Sequence, residues 1–373
     1  MRHRRWFWLA CAGGAIGGSS PTVRFGPGPR NASEVCEELM RGFGRSEVVV
    51  NEARFPSLWG GLSHALALAK RPAVMIFCNG AHYKLAHNFM CGLVAAGLEH
   101  VVAHVVLWCA DEASYRSSRA DWRRVQAVRL ALGGDVSGDA PFKEARYARM
   151  AAVKALMPWA AAALGFDALT QDADLVWRGD VLARVAELDA AMMPDSNRVD
   201  PFQRPCKRKE AARIDAYAAH HGRSSGDCAA YRCVSSVNGG FVYARARSSI
   251  VAALRDWFER CPTIVADREN QPSLVAALEE RVPPGGCVYG PTRKDAAAAD
   301  LVVMGEVVSG QRPAVARDLE RRGRLLAFHC NFRSGCSMWR RDTSSATRAA
   351  SPPTSPAAPA SRHHHHHHHH PWT

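Results

Sequence analysis

The chain has 373 residues, 47% of them hydrophobic, which is enough to bury one large core or two ordinary ones. Its formal net charge is +13, and its pI is about 9.4. The basic residues are mostly Arg and are dispersed outside two short runs, Arg2–Arg5 and Cys206–Lys209. No basic module interleaved with aromatic residues accompanies this excess, which argues against a nucleic-acid-binding protein.

Residues 1–20 have the layout of a signal peptide, with basic residues before an apolar run, Trp6–Gly18, and small residues after it. The run is shorter than the roughly 20 residues of a membrane span, which favours a signal peptide over a short membrane anchor. Either would place the remainder in the lumen of the secretory pathway, for which we expect the Golgi. Residues 21–55 read as a linker or stem, and they carry one glycosylation sequon, Asn31-Ala32-Ser33.

The twelve cysteines leave two interpretations open, since none has zinc-finger spacing. In a secreted chain they would be disulfide candidates, and in a cytosolic chain most would be small buried hydrophobes.

From residue 56 onward the pattern alternates between strands and helices. A strand over Ala73–Cys78, a helix over Tyr83–Gly97 and a strand over His100–Trp108 form a predicted βαβ unit, which indicates a mostly parallel sheet flanked by helices. Ligands of such sheets bind beyond the carboxyl ends of the strands. Three polar residues occupy such ends, namely Asn79, Asp111 and Asp172.

The remaining elements extend this α/β pattern into one catalytic domain, residues 56–341. Residues 194–234 read as an irregular, cysteine-containing insertion, and residues 342–373 as a disordered Pro/Ser/Ala-rich tail whose eight consecutive histidines enter no metal argument. Further predicted helices cover Ser57–Lys70, Ser114–Leu132, Lys143–Ala163 (kinked or begun anew at Pro158), Val181–Met192, Arg247–Arg260 and Asn270–Glu280. Further predicted strands cover Ala168–Thr170, Phe241–Ala244 and Leu325–Phe328, and short apolar runs lie at Cys287–Tyr289 and Leu301–Met304.

Asp172 and Asp174 directly follow an apolar strand. Like charges held this close repel, and a divalent cation that also binds a diphosphate would relieve the repulsion. The DxD pattern therefore predicts a sugar-nucleotide-dependent glycosyltransferase, although two solvated loop acids would give the same pattern. A haloacid-dehalogenase-type phosphotransferase also uses DxD, but Leu175 and the roughly one hundred residues of βαβ pattern before the motif argue against it.

Further candidates each have a structural alternative. His329 would add an imidazole to the acidic pair, a set that suits Mn²⁺, but a lone His is more often structural. Lys154 is a candidate diphosphate contact or a surface lysine. Gly335 would let the backbone approach a phosphate. The two remaining groups are a turn signal and a helix cap as well as candidate ligand contacts, namely Asn238-Gly239-Gly240 and Asn270-Gln271.

Taken together, these residues resemble the nucleotide-diphospho-sugar transferase domain of glycosyltransferase family 77, whose members include plant cell-wall xylosyl- and arabinosyltransferases. The resemblance covers roughly Pro72 to Gly335. It rests on seven pieces in order: NGAHYKLAHNFMCGL, HVVAHVVLWCADEAS, the Lys154 helix, LGFDALTQDADLVWRGDVL with MMPDS, NGGFVYARA, ENQPSL and HCNFRSG.

The resemblance implies a GT-A-type, Rossmann-like α/β fold and a retaining enzyme that uses a UDP-sugar donor, Mn²⁺ (or Mg²⁺) and a glycan or glycoprotein acceptor. Asp172, Asp174 and His329 would hold the metal, and Asp172 would also approach the ribose. The remaining implied donor contacts are Asn79, Gly80, Asn88, Asp111, Lys154, Asn238, Gly239 and Gly335, and the implied catalytic residues are Asp195, Asn270 and Gln271.

Three departures from the family pattern stand out, and the first two of them keep a second hypothesis open. Asn270 stands where Asp is usual, a lysine expected after the HxN…G motif is missing, and Gly179-Asp180 replaces Asp-Pro. A catalytically silent glycan-binding or scaffold protein on the same fold would account for them.

Overall fold

The fold is built around a nine-stranded sheet. A computed structural model describes residues 31–45, 47–130, 144–194, 232–233, 237–281, 287–288, 301–304, 307–309 and 313–330. The strands of the sheet are β1 (Val48–Val50), β2 (Ala53–Phe55), β3 (Ala73–Cys78), β4 (Val105–Cys109), β5 (Gln126–Arg129), β6 (Ala168–Gln171), β8 (Ala190–Pro194), β10 (Val237–Ala244) and β12 (Val302–Val303). They lie in the order β12-β8-β10-β6-β3-β4-β5-β1-β2 across the sheet.

Seven of these nine strands run in the same direction, because only β1 and β10 pair antiparallel with both of their neighbours. The predicted α/β class, a mostly parallel sheet flanked by helices, is therefore confirmed. All six residues of β3 are buried, as expected for a central parallel strand covered on both faces.

Helices cover both faces of the sheet. They are α1 (Ala32–Arg45), α2 (Leu58–Leu68), α3 (Tyr83–Ala95), α4 (Glu112–Asp121), α5 (Ala145–Ala163), α6 (Val181–Val185), α7 (Val251–Glu259), α8 (Cys261–Asp267), α9 (Gln271–Arg281) and α10 (Pro313–Arg321), with a 3₁₀ helix at Glu99–His104. Along β3, Met75 and Phe77 face a core layer that includes α1, α2 and α5, while Val74 and Ile76 face a second layer that includes α3.

A second sheet of three strands lies beside the first. It has the order β13-β14-β7, with β7 at Leu175–Trp177, β13 at Val307–Ser309 and β14 at Ala327–His329. A separate two-stranded ribbon joins β9 (Arg232–Cys233) to β11 (Cys287–Val288). The three-stranded sheet fixes the turn Asp172-Ala173-Asp174, because β7 follows β6 directly after this turn.

Two helix predictions were wrong in part. The region predicted as a helix over Ser114–Leu132 contains α4, which begins at Glu112 because the Asp111 side chain caps it, and then strand β5. The region predicted as a helix over Val181–Met192 contains the five-residue α6 and then β8. The helix-forming run AAMMP is a strand because pairing with β10 and β12 overrides its intrinsic preference.

Smaller differences concern three other segments. The predicted strand over His100–Trp108 begins as a 3₁₀ helix and becomes extended only at Val105. Helix α5 continues through Pro158 to Ala163. Residues 32–55, which were predicted to be part of the linker, form α1 and two strands of the main sheet.

Within the described ranges, no helix is both long and apolar enough to cross a membrane. Residues 1–30, which include the predicted signal peptide or anchor, lie outside these ranges, as does the predicted tail from residue 342 onward.

Candidate metal centre

The two candidate carboxylates lie where the chain passes from the main sheet to the three-stranded sheet. Strand β6 is buried between β3 and β10, and its ladder extends by one residue because the Asp172 N–H donates to the Gly240 carbonyl at 2.9 Å. The chain then turns through Ala173 and enters β7 at Leu175. The Asp-x-Asp turn is thus fixed at both ends by strands.

Strand β14 brings the imidazole of His329 to this turn. Pairing between β14 and β7 is antiparallel and places His329 opposite Leu175. The Cys330 N–H donates to the Asp174 carbonyl at 3.0 Å, which closes the ladder beside the acidic pair. Residues 155 positions apart in the chain therefore meet because of strand register.

His329, Asp172 and Asp174 form one compact cluster. The Nε2 atom of His329 lies 3.0 Å from Asp174 Oδ1 and 3.4 Å from Asp172 Oδ2. His329 is 4% exposed and Asp174 6% exposed. The amino group of Lys154, on α5, forms an ion pair with the other oxygen of Asp172, Oδ1. The structure thus brings together four of the residues selected from the sequence.

The charges of this cluster stabilise one another. Burial alone would lower the pKa of His329, but the ion pairs with Asp174 and Asp172 outweigh burial and raise it to about 10. Burial likewise opposes the charge of Lys154, yet Asp172 and Tyr147 raise its pKa to about 12. Burial would raise the pKa of Asp172, and Lys154 and His329 instead hold it well below its usual range. Two cations and two anions leave the cluster neutral.

The donor set fits a divalent cation. One ligand atom from each of Asp172, Asp174 and His329 lies within 4.8 Å of the others. The separations of 3.0 and 3.4 Å between His329 Nε2 and the two carboxylates are those of ion pairs, and a spacing within 4.8 Å is close enough for one ion to contact all three residues. Carboxylate and imidazole groups are ligand types that several divalent cations accept.

The absence of a side chain at Gly240 leaves room for the carboxylate of Asp172. A Cβ atom at this position would lie 2.7 Å from Asp172 Oδ2 and 2.9 Å from Asn238 Oδ1. Asn238 in turn accepts the Gly240 N–H at 2.7 Å. Asn238 is buried and fixes the irregular start of β10 beside Asp172. The sequence marked Gly240 only as part of a turn that could set backbone against a ligand, whereas the structure shows that it makes room for this carboxylate.

Tyr147 is a neighbour of this cluster that was not selected from the sequence. It lies seven residues before Lys154 on α5, a spacing that puts both side chains on one face of the helix. Burial raises the pKa of its phenol, the charge of Lys154 opposes that rise, and the charge of Asp172 adds to it. Helical spacing from Lys154 was the sequence signal that could have identified it.

The carboxyl ends of β3 and β4 form a linked pair of loops. The Gly80 N–H donates to Asp111 Oδ2 at 2.8 Å, and Ser114 donates its N–H and hydroxyl to Asp111 Oδ1 at 2.8 Å each. Asn79 Oδ1 accepts the His82 N–H at 3.0 Å. Asn79 and Asp111, which the resemblance assigns to the nucleotide, shape these loops in the structure.

A second pair of candidates meets beside β10. The side-chain nitrogen of Asn270 lies 3.5 Å from the position of a Cβ on Gly239, whose other neighbour there is the Trp257 ring at 3.3 Å. The Trp257 indole N–H donates to the Asn270 carbonyl at 2.9 Å, which fixes the start of α9 at Gln271. Asn270, Gln271 and Gly239 thus belong to one locality.

Three other candidates are not brought to these groups. Asn88 is exposed on α3, and within the described residues its side chain makes no hydrogen bond. Asp195 and Gly335 lie outside the described residues.

Comparison with known proteins gives one family match. The sequence profile of the family described as nucleotide-diphospho-sugar transferase matches residues 100–302. No curated protein sequence matches the chain. Among solved structures, similar chains include the apo bifunctional glycosyltransferase WbbM, at 10% identity and a TM-score of 0.35, covering 72% of this chain and 48% of that one. Another is the apo form of mouse xyloside xylosyltransferase 1, at 11% identity and a TM-score of 0.29, covering 70% of this chain and 97% of that one.

Proposed function

The chain belongs to the nucleotide-diphospho-sugar transferase family, and from this premise we propose that it transfers a sugar from a UDP-sugar to a glycan or glycoprotein acceptor, with a Mn²⁺ ion (or Mg²⁺) held by Asp172, Asp174 and His329. Membership of the family makes the chain a glycosyltransferase. The observation that supports the finer proposal is the cluster of two carboxylates, one imidazole and one ammonium group, in which Asp174 and His329 are buried and Asp172 and Lys154 are partly buried.

The charge of the cluster supports a diphosphate as the ligand. Without a cation, Lys154 and His329 offset the two carboxylates. The His329 imidazole would have to give up its proton to ligate a divalent cation, since a ligating imidazole must be neutral. Asp172, Asp174, Lys154 and the cation would then carry one net positive charge together, which would attract the anionic diphosphate more strongly in this largely buried site than in water. Lys154 supplies the part of that charge that stays fixed.

We propose that transfer retains the anomeric configuration, as the resemblance to glycosyltransferase family 77 implies. When bound, a divalent cation stabilises the negative charge that develops on the leaving UDP. Asp172 and Asp174 are both committed to cations, so neither serves as a nucleophile. We therefore favour a same-face displacement in which the leaving phosphate oxygen accepts the proton of the acceptor hydroxyl. Asn270 and Gln271 would position the donor sugar and the acceptor.

Disulfides support a place in the secretory pathway, and we propose the Golgi lumen. Cys36 is bonded to Cys261, and Cys91 and Cys330 are also disulfide-bonded. Disulfides of this kind persist in oxidising compartments and are rare in the cytosol. A plant-type cell-wall glycan is the acceptor class that the family 77 resemblance implies.

The first experiment measures UDP release from a panel of UDP-hexoses and UDP-pentoses, with Mn²⁺, with Mg²⁺ and with chelator. We expect one donor to be hydrolysed, only with metal, and activity to fall at least about 100-fold in Asp174→Asn because the cation loses a charged ligand. Asp189→Asn is the matched control. Asp189 is half-exposed and precedes the amino end of β8, whereas the acidic pair lies at the carboxyl end of β6.

Binding separates the alternatives when no donor turns over. Metal-dependent UDP binding without turnover would indicate a missing acceptor or the silent glycan-binding protein that Asn270 keeps open. Hydrolysis of a phosphate ester would instead favour the phosphotransferase reading. Absence of any UDP binding with Mn²⁺ would refute the nucleotide-sugar proposal.

A further inference from the structure

The sequon Asn31-Ala32-Ser33 lies at the start of α1 and has a defined geometry. The Asn31 Oδ1 atom accepts the Ser33 N–H at 3.1 Å, and the Asn31 carbonyl accepts the Val35 N–H at 3.2 Å. Asn31 is therefore the N-cap of α1, and its side chain forms an Asx turn with the residue two positions later. This turn places the Asn amide beside the Ser33 residue that completes the sequon.

We propose that Asn31 is N-glycosylated. Asn31 and Ser33 are both exposed, while Val35, Cys36 and Leu39 bury the other face of α1. Within the described residues, the Nδ2 atom of Asn31 makes no hydrogen bond. A glycan at this position extends into solvent, as its bulk and polarity require.

The modification is compatible with the fold because it uses the other atom of the amide. An oligosaccharide linked to a lipid diphosphate supplies the sugar. A bond forms between Nδ2 and the anomeric carbon, the bond from that carbon to the diphosphate breaks, and the lipid diphosphate and the Nδ2 proton leave. The Oδ1 atom keeps its lone pairs, so it continues to accept the Ser33 N–H and to cap the helix.

The same helix carries an independent mark of the compartment in which this reaction occurs. Cys36, five residues after Asn31, is bonded to Cys261 on α8, and their Cα atoms lie 5.9 Å apart. Such a bond requires an oxidising compartment, and N-glycosylation takes place in the lumen of the secretory pathway. The inference thus rests on the lumenal location proposed above and not on the enzymatic activity.

The test uses the full chain, expressed with its own N-terminus in a eukaryotic host. Removal of N-glycans by a peptide-N-glycosidase in heavy-oxygen water is expected to lower the mass of the wild type and to leave a labelled Asp at position 31. Ser33→Thr keeps the sequon and should behave in the same way. Ser33→Ala and Asn31→Asp should show neither change.

These variants separate modification from folding. Ser33→Ala keeps the backbone N–H that Asn31 accepts, and Asn31→Asp keeps the capping oxygen. Peptide mapping of the Cys36–Cys261 bond shows in each variant that the chain has folded in the oxidising compartment. An unmodified wild type, or a mass change that persists in Ser33→Ala, overturns the proposal. UDP release is assayed in parallel, so loss of the proposed enzymatic function would leave this result intact.

Discussion

Replacing Gly240 by Ala should displace the Asp172 carboxylate without changing any charge of the cluster. The new Cβ would lie 2.7 Å from Asp172 Oδ2 and 3.0 Å from its Cγ. Ordinary contacts of a Cβ begin near 3.4 Å, so the carboxylate must retreat by about 0.7 Å or the two strands must separate. The backbone at Gly240 is not in the left-handed region, so the effect is one of space and not of backbone strain.

The displacement sets the expected size of the effect. Functional groups need to be held within about 0.5 Å of their productive positions, and a misplacement of about 1 Å costs about 100-fold in rate. We therefore expect UDP release by Gly240→Ala to fall about 10- to 100-fold and the affinity for Mn²⁺ to weaken about 10-fold. Overpacking of this kind also lowers the free energy of unfolding by about 1–3 kcal/mol.

The assay compares Mn²⁺ titrations, UDP release and thermal unfolding of Gly240→Ala with those of Gly92→Ala. Gly92 lies inside α3, and a Cβ there would meet no atom within 4 Å. Gly92→Ala should leave activity unchanged and raise the free energy of unfolding by about 0.5–1 kcal/mol. A folded Gly240→Ala protein with the metal affinity and turnover of the wild type would refute the assigned position of Asp172 against Gly240.

Two further predictions concern the cations of the cluster. Lys154→Met leaves Asp172 without its nearest ammonium group, so the free energy of unfolding of the metal-free protein, measured by chemical unfolding, should fall by about 3 kcal/mol. Calorimetry should show that this variant binds Mn²⁺ more tightly and UDP more weakly than the wild type. Unchanged affinity for both ligands would contradict the proposed role of Lys154. Because the pKa of His329 is raised to about 10, its stabilising effect is complete below about pH 6.5 and is lost as the pH rises through about 10. As the pH rises from about 6.5 to about 10, the free energy of unfolding of the metal-free protein should fall, and its affinity for the metal should rise by up to about tenfold per pH unit. His329→Gln should abolish both pH dependences, as measured by chemical unfolding and metal titration.

Local patterns of apolar and acidic residues were enough to predict the strand before Asp172 and the central βαβ unit. Six consecutive apolar residues bounded by Pro72 and Asn79 indicate a buried strand, and the structure has β3 there. The sequence reading also made the metal role of His329 depend on its approach to the acidic pair, and the structure brings it within 3.4 Å of both carboxylates.

The parts that the sequence reading missed depend on register between distant strands. Strand β8 is built from residues that favour helices, and only its partners β10 and β12 make it extended. The role of Gly240 follows from the pairing of Phe241 with Gln171, which places the next residue of each strand, Gly240 and Asp172, opposite each other. No local pattern encodes such a pairing, so the sequence shows a turn signal where the structure shows room made for a carboxylate.

The residue types of the cluster explain how a buried acidic pair is compatible with a folded protein both with and without a cation. Asp172 and Asp174 cannot be buried as anions unless other charges offset them. Lys154 offsets one of them in either state. The other is offset by the imidazole of His329, a side chain that is a cation without the proposed metal and that would become a neutral ligand if the metal bound. A carboxylate in place of His329 would add a third negative charge to the metal-free site, and an amide would leave one buried anion without compensation.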